Sequence, residues 1–246
     1  MNRKLFYIPD PKPTAPFRLI CFPYAGGGSA TFTSWKDMLS DNIEIAFVQL
    51  PGRGIRLLEK PYETMEELVK ALQLSYIDLQ PKKTFFFGHS MGARVAFELT
   101  LSLQKINQPP PVHFFASACP APCTVRKEDN IHHLPDDEFI GKLDELQGSP
   151  AEVLQNRELM ELVLPALRAD FKIVENYRNQ NTYSIKSCVS VFAGKEDKIE
   201  IDEMQPWLNK FTEATGVHWL PGNHFFVDNQ RPALQATMNT IISNYL

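Results

Sequence analysis

Thr84-Phe85-Phe86-Phe87 runs without a break into Gly88-His89-Ser90-Met91-Gly92, and a helix is expected from Met91 to about Gln104. Four apolar residues in a row suit a short strand buried on both faces. The glycines then bracket a serine at the point where strand must turn into helix. In such a turn the serine occupies strained backbone geometry and its hydroxyl is pushed clear of the sheet. A Cβ on either flanking glycine would collide with the neighbouring strand or helix. The following helix aims its N-terminal N–H groups at a developing oxyanion, with the Met91 N–H as the nearest donor. The pentapeptide alone is a common Gly/Ser turn; the strand before it and the helix after it make Ser90 a candidate nucleophile.

Outward from this turn, short apolar runs alternate with longer helical patterns. Phe17 to Phe22, Ile43 to Leu50, Val112 to Ala118 and Ser187 to Ala193 read as strands, and Gly216 to Leu220 as a weaker one. Thr64-Met65-Glu66-Glu67 has the form of a capping box and opens a helix through about Asp78. A closing helix is expected from about Pro232 to Tyr245. This alternation predicts a mostly parallel sheet with helices on both faces. From about Val125 to Tyr183 the rhythm breaks into helix-like stretches: Asp136 to Leu146, Ala151 to Gln155, and Glu158 to Tyr177 with Pro165 inside. The chain therefore reads as one domain, 1–246, with an embedded helical lid at 125–183.

A serine elbow needs a histidine and an acid in the order Ser, Asp or Glu, His. His224 follows Pro221-Gly222-Asn223, a turn after the last strand, at the carboxyl edge where open α/β sheets place their sites. His218 lies within that strand and would point to a sheet face. His132 and His133 belong to the lid and precede any suitable acid, while His89 is expected to be a packing or hydrogen-bonding neighbour. The strand ending at Ala193 leads into Gly194-Lys195-Glu196-Asp197-Lys198. Asp197 and Glu196 can both reach a histidine from that loop, with aspartate favoured in turns; Asp202 is weaker. A second oxyanion donor should come from Phe22-Pro23-Tyr24-Ala25-Gly26-Gly27-Gly28, whose small residues let the backbone approach a substrate oxygen. The same loop lacks G-x-G-x-x-G and G-K-[ST], which argues against nucleotide phosphate.

Composition narrows the classes further. The chain has 246 residues, 43% hydrophobic and 22% charged, with a net charge of −4. One core can bury roughly 70–75% of the unfolded surface at this length, without disulfides or a structural metal. The acidic balance removes the electrostatic reason to expect nucleic acid. No apolar run approaches the ~20 residues of a membrane span, and Met1 to Pro13 has no apolar core of a secretory signal, so a cytoplasmic protein is expected. Cys119 and Cys123 lie four apart near His132 and His133, but prolines stiffen the loop and no second close cysteine pair closes a tetrahedral site. No metal is expected; Cys21 and Cys188 read as small buried hydrophobes.

Six segments carry a resemblance in order along the chain: Phe22-Pro23-Tyr24-Ala25-Gly26-Gly27, Leu50-Pro51-Gly52-Arg53-Gly54, Gly88-His89-Ser90-Met91-Gly92, Arg168-Ala169-Asp170-Phe171, Gly194 with Asp197, and Gly222-Asn223-His224-Phe225-Phe226. Together they resemble type II (external) thioesterases of nonribosomal peptide and polyketide synthesis, in the α/β-hydrolase superfamily. Asn223 stands where that family commonly has a second glycine. The resemblance implies an α/β-hydrolase fold with an inserted helical lid. It implies catalysis by Ser90, Asp197 and His224, with the N–H groups of Ala25 and Met91 as oxyanion hole. The substrate would be an acyl thioester on the phosphopantetheine arm of an acyl or peptidyl carrier protein, freed by hydrolysis. No cofactor is then needed, since the phosphopantetheine arrives on the substrate, and a monomer is expected. Leu134, Phe139, Leu143, Leu146 and Leu164 are candidates for the acyl route or for packing within the lid. The Arg168–Asp170 segment reads equally as a structural ion pair or as a functional element. The competing readings are a carboxylesterase or acyltransferase on small esters, and a non-catalytic scaffold that binds carrier proteins.

Overall fold

The computed structural model describes residues 5–146, 156–179 and 183–246. Seven strands form one sheet: β1 (Phe6–Tyr7), β2 (Phe17–Phe22), β3 (Ile43–Val48), β4 (Lys83–His89), β5 (His113–Ser117), β6 (Ile185–Gly194) and β7 (Phe211–Leu220). Their spatial order is β1-β3-β2-β4-β5-β6-β7, parallel throughout except for β1, which pairs antiparallel with β3. The mostly parallel sheet expected from the alternation is thus present.

The strand period of two decides the layers. Phe86 of β4 points to one face with Ile20, Phe22, Phe114 and Val191. Phe85 and Phe87 point to the other with Leu19, Cys21, Phe115 and Phe192. The first face is covered by α1 (Met65–Ile77) and α2 (Met91–Lys105) through Leu68, Leu72, Val95 and Leu99. Phe32 and Trp35 of a 3-10 segment (Ser29–Met38) cover the second, together with Leu234, Met238 and Ile242 from the closing helix (Arg231–Ile242). Thr64 caps α1 as expected, its hydroxyl accepting the Glu67 N–H at 3.2 Å.

Two departures from the expected strands have physical causes. β7 begins at Phe211 rather than near Gly216; Thr212 to Thr215 are exposed at the sheet edge, so they carry no apolar period. β1 has only two residues, too few for any periodicity, and is fixed by pairing Phe6 with Val48 and Tyr7 with Phe47.

Between β5 and β6 lie α3 (Asp136–Glu145) and α4 (Arg157–Asn176). Ile131, Phe139, Leu143, Met160, Leu164 and Leu167 give them a small core of their own. Pro165 sits on the exposed side of α4. The stretch expected as helix at Ala151 to Gln155 lies outside the described residues.

Candidate active site

Parallel strands deliver their following loops to one edge. Phe22 pairs with Gly88, His89 with Ser117, Ser117 with Phe192, and Gly194 with Leu220. The loops after β2, β4, β6 and β7 therefore leave the sheet side by side. Ser90 has φ 53° and ψ −119°, a conformation costly for any residue with a side chain. It is pinned by its N–H, which donates to Ser117 O at 2.8 Å, and by its carbonyl, which accepts the Ala93 N–H at 3.0 Å. A Cβ on Gly88 would stand 2.4 Å from Ala93 Cα, and one on Gly92 would stand 2.1 Å from Phe22 O. Backbone crowding thus imposes both glycines of the G-x-S-x-G.

His224 bridges the other two loops. Its Nε2 lies 3.1 Å from Ser90 Oγ and its Nδ1 lies 2.9 Å from Asp197 Oδ2. Burial pushes the Asp197 carboxyl up, but His224 and the N–H groups of Ile199 and Lys198 outweigh it, so its pKa ends below the usual range. Asn223 sustains the turn before His224, its Oδ1 accepting the Phe225 N–H at 3.0 Å. His89 supports the same loop. Its Nε2–H donates to His224 O at 2.8 Å and its Nδ1 accepts from Ser117 Oγ at 2.9 Å. Burial, with His224 adding, pushes the His89 pKa down to about 3, so the ring is neutral and fits this tautomer.

The remaining candidates lie elsewhere. Glu196 and Asp202 are exposed and neither bonds His224. His218 packs against Phe192 and meets Thr215 Oγ1 at 3.0 Å. His132 contacts Glu175 within the inserted helices.

The loop after β2 is held from a distance. Asp170 of α4 accepts the Gly26 N–H at 2.8 Å, and Arg53 grips the same carboxylate twice, at 2.7 and 2.9 Å. Arg53 also donates to Gly27 O at 3.1 Å. Both side chains of this pair are buried, 9% and 3% exposed. Arg168 turns the other way, to Asp136 at 2.5 Å and His132 O at 2.7 Å. Arg168 and Asp170 are thus both ion-paired, but to different partners. Sequence reasoning missed the Arg53–Asp170 clamp, although Pro51-Gly52-Arg53-Gly54 and Arg168-Ala169-Asp170 were both visible as motifs.

Ser90, His224 and Asp197 open onto a cavity of about 470 Å³ that Ala25 and Met91 also line. Among the described residues no protein acceptor takes the N–H of Ala25 or Met91. Leu143, Leu146, Leu167 and Phe171 form apolar wall from the inserted helices. Of the candidates for the acyl route, Leu143 and Leu146 reach this wall, whereas Leu134, Phe139 and Leu164 pack within the inserted helices.

A sequence model of the thioesterase domain matches residues 17–242. The chain belongs to the thioesterase family. It is 35% identical to the gramicidin S biosynthesis protein GrsT of Aneurinibacillus migulanus, over 91% of this chain and 88% of that one. Two solved structures superimpose closely. ClbQ from the colibactin NRPS/PKS pathway matches with a TM-score of 0.88 and 30% identity, covering 93% of this chain and 97% of that one. The type II thioesterase BorB from the borrelidin cluster matches with a TM-score of 0.87 and 28% identity, covering 96% of each. The protein is a type II thioesterase with the α/β-hydrolase fold.

Cys119 is buried, and burial pushes its thiol up, while Cys123 is exposed. Among the described residues no group of three or more His, Cys, Asp or Glu is arranged to hold a metal ion. None of the described helices is long and apolar enough to cross a membrane.

Proposed function

We propose that this thioesterase releases acyl and aminoacyl groups from the phosphopantetheine arm of carrier proteins, with Ser90, His224 and Asp197 as its triad. The observation that carries the reading is the His224 ring, set between Ser90 Oγ at 3.1 Å and Asp197 at 2.9 Å on the cavity wall. His224 Nε2 takes the Ser90 proton as Oγ attacks the thioester carbonyl. Charge gathers on the carbonyl oxygen, where the N–H groups of Ala25 and Met91 receive it. The C–S bond then breaks and the carrier thiol leaves with the proton from His224. Water, deprotonated in turn by His224, attacks the acyl–serine ester and frees the carboxylic acid and Ser90. Asp197, kept ionised by its hydrogen bonds, fixes the ring tautomer and balances the imidazolium.

Residues 125–183 act as the lid in this reading, since Leu143, Leu146, Leu167 and Phe171 face the cavity from it. The reaction consumes only water, so the enzyme needs no cofactor. It works as a monomer in the cytoplasm, where carrier-bound intermediates are made and misprimed arms need clearing.

The test is release of free carrier thiol from acetyl–carrier protein, beside a matched acetyl oxyester, for the parent and Ser90→Ala. Thioester turnover lost in the variant is the expected result. Turnover of the oxyester alone would make the protein a general esterase. No turnover of either would favour a carrier-binding scaffold.

A further inference from the structure

Arg94 stands one helical turn beyond Ser90 on α2 and lines the same cavity. It is only 6% exposed, yet it makes no ion pair with any described carboxylate. Its Nε has no hydrogen-bond partner, its Nη1 reaches Val174 O at a long 3.3 Å, and its guanidinium lies 5.3 Å from the centre of the Tyr177 ring. Its charge draws the Cys119 thiol down, against the larger upward push of burial. Glu98, a further turn along α2, is engaged by Tyr177 and Asn179 instead. Of the other cationic residues described on the cavity wall, Arg126 is tied to Glu128 at 3.2 Å and Lys198 is exposed. A buried guanidinium without an anion is costly, and proteins ordinarily pair such a charge.

We propose that Arg94 is the anchor for substrates whose acyl group ends in a carboxylate, so that this enzyme favours thioesters of dicarboxylic acids. The inference rests on the reading of Ser90 as nucleophile, and it names the substrate class of that site. Arg94 and Ser90 lie four residues apart at the start of α2 and line one cavity. A succinyl-sized group reaches only a short way past the carbonyl that Ser90 attacks, so its carboxylate would stay against the wall that Arg94 shares. The guanidinium would then meet a carboxylate with the paired, charge-assisted hydrogen bonds it lacks in the protein. The phosphate of the pantetheine arm is a poor occupant, because the length of the arm separates it from the thioester that Ser90 attacks.

Succinyl and butyryl carrier thioesters have equal carbon count and differ in the terminal carboxylate. The parent should turn over succinyl–carrier with the higher kcat/KM. Arg94→Met should lower kcat/KM for succinyl about 10- to 100-fold, the range for losing a hydrogen-bonded charge. It should leave butyryl within about threefold, and Arg94→Lys should restore part of the succinyl rate. A loss shared equally by both substrates, or an unchanged ratio, would overturn the proposal and leave Arg94 a structural residue. Arg94→Gln serves the same comparison if the methionine variant folds poorly. A second measurement needs no turnover: titration calorimetry of free succinate and free butyrate against Ser90→Ala. Succinate should bind more tightly, and adding Arg94→Met should weaken it at least tenfold; equal binding of the two acids would refute the anchor. If carrier thioesters are not hydrolysed at all, the proposed function fails while this titration still decides the role of Arg94.

Discussion

The elbow carrying Ser90 is assembled from residues 83–93 and the strands beside them, whereas the loop Tyr24–Gly28 facing it depends on Arg53 and Asp170, which are 117 positions apart. On the elbow side, backbone meets backbone: Gly88 against Ala93, Gly92 against Phe22, Ser90 N–H against Ser117 O. On the loop side a buried ion pair does the holding, with one partner in the turn after β3 and the other on the inserted helix α4. One half of the site is therefore set by the sheet, while the other is tied to the helices above it. Moving α4 would move Asp170, and with it the Gly26 N–H next to Ala25. Crowding makes the elbow rigid by itself; the loop is only as well placed as its clamp.

The sharpest way to break this contrast is Arg53→Met. It leaves the Asp170 carboxylate buried without its partner, a loss of about 3–5 kcal/mol of stability. Adding Asp170→Leu should recover most of that, because an apolar pair of similar volume replaces the buried ions. The double variant should still be slow, with kcat down about 10- to 100-fold, since the Gly26 N–H has lost its acceptor and Ala25 its alignment. Urea unfolding and acyl–carrier hydrolysis separate the two effects. A stable double variant with parental kcat would mean the loop positions itself.

Gly92→Ala probes the opposite half. Its Cβ would press on the Phe22 carbonyl, main chain that cannot rotate aside, and should cost about 3 kcal/mol. Gly26→Ala makes the matched control: its Cβ would meet the end of the Leu167 side chain, which can move, and the main penalty is the φ of +79°. That penalty is about 1–2 kcal/mol. Equal losses for the two variants in urea unfolding would show the loop to be as rigid as the elbow.

The same contrast explains which parts of the site are legible in the sequence. The elbow was legible because Gly88, Ser90 and Gly92 fall in one pentapeptide between an apolar run and a helical pattern, although the backbone they meet includes Phe22 and Ser117 of the neighbouring strands. Asp197 and His224 were legible because each follows a strand end, and in a parallel sheet all strand ends share one edge. Asp170 was visible as part of Arg168-Ala169-Asp170, but neither spacing nor composition joins it to Arg53. That pairing exists only because α4 packs on the turn at Gly52, where Ala166 comes within 2.9 Å of where a Cβ would stand. The first half of β7 was hidden for a different reason: at a sheet edge, exposed Thr212 to Thr215 have no apolar face to display. Nothing in the sequence pattern marks Arg94; its burial without a paired carboxylate sets it apart.

Acid distinguishes the halves by a smaller amount. The titrating group on the elbow side is His89, held down to about 3 first by burial, whereas the guanidinium of Arg53 keeps its charge at any working pH. An unfolded imidazole binds its proton near 6.5. Between about 6.5 and 3 the unfolded chain therefore carries a proton that the folded chain refuses, and stability must fall as pH falls. The slope is about 1.4 kcal/mol per pH unit for one group, or about 2 kcal/mol from pH 7 to pH 5. His113, pushed down to about 4 by burial and then by His218, acts with the same sign. Urea unfolding at the two pH values should show this loss, and His113→Gln should remove its share. A flat stability profile would mean that the folded protein accepts a proton at His89 Nδ1, the atom that here accepts from Ser117 Oγ.

Tyr24 touches both halves and gives the finest test. It precedes Ala25 in the clamped loop, and its ring packs edge-on against His89 at 5.8 Å and Phe225 at 5.3 Å. Its hydroxyl donates to Asp228 Oδ2 at 3.1 Å, and burial followed by the Asp228 charge pushes the phenol up to about 12. The phenol is therefore a donor, not a proton relay, at any pH where the enzyme works. Tyr24→Phe keeps the ring contacts and removes one hydrogen bond, which should cost about 1 kcal/mol of stability. Asp228 retains the nearby Arg231 charge, so the cost should not rise to that of an orphaned carboxylate. Acyl–carrier hydrolysis should stay within about threefold of the parent, because the ring contacts with His89 and Phe225 are kept. A tenfold fall in kcat with stability unchanged would show that the hydroxyl enters the chemistry, and the two halves would then be joined through Tyr24 as firmly as the loop is joined to α4 through Asp170.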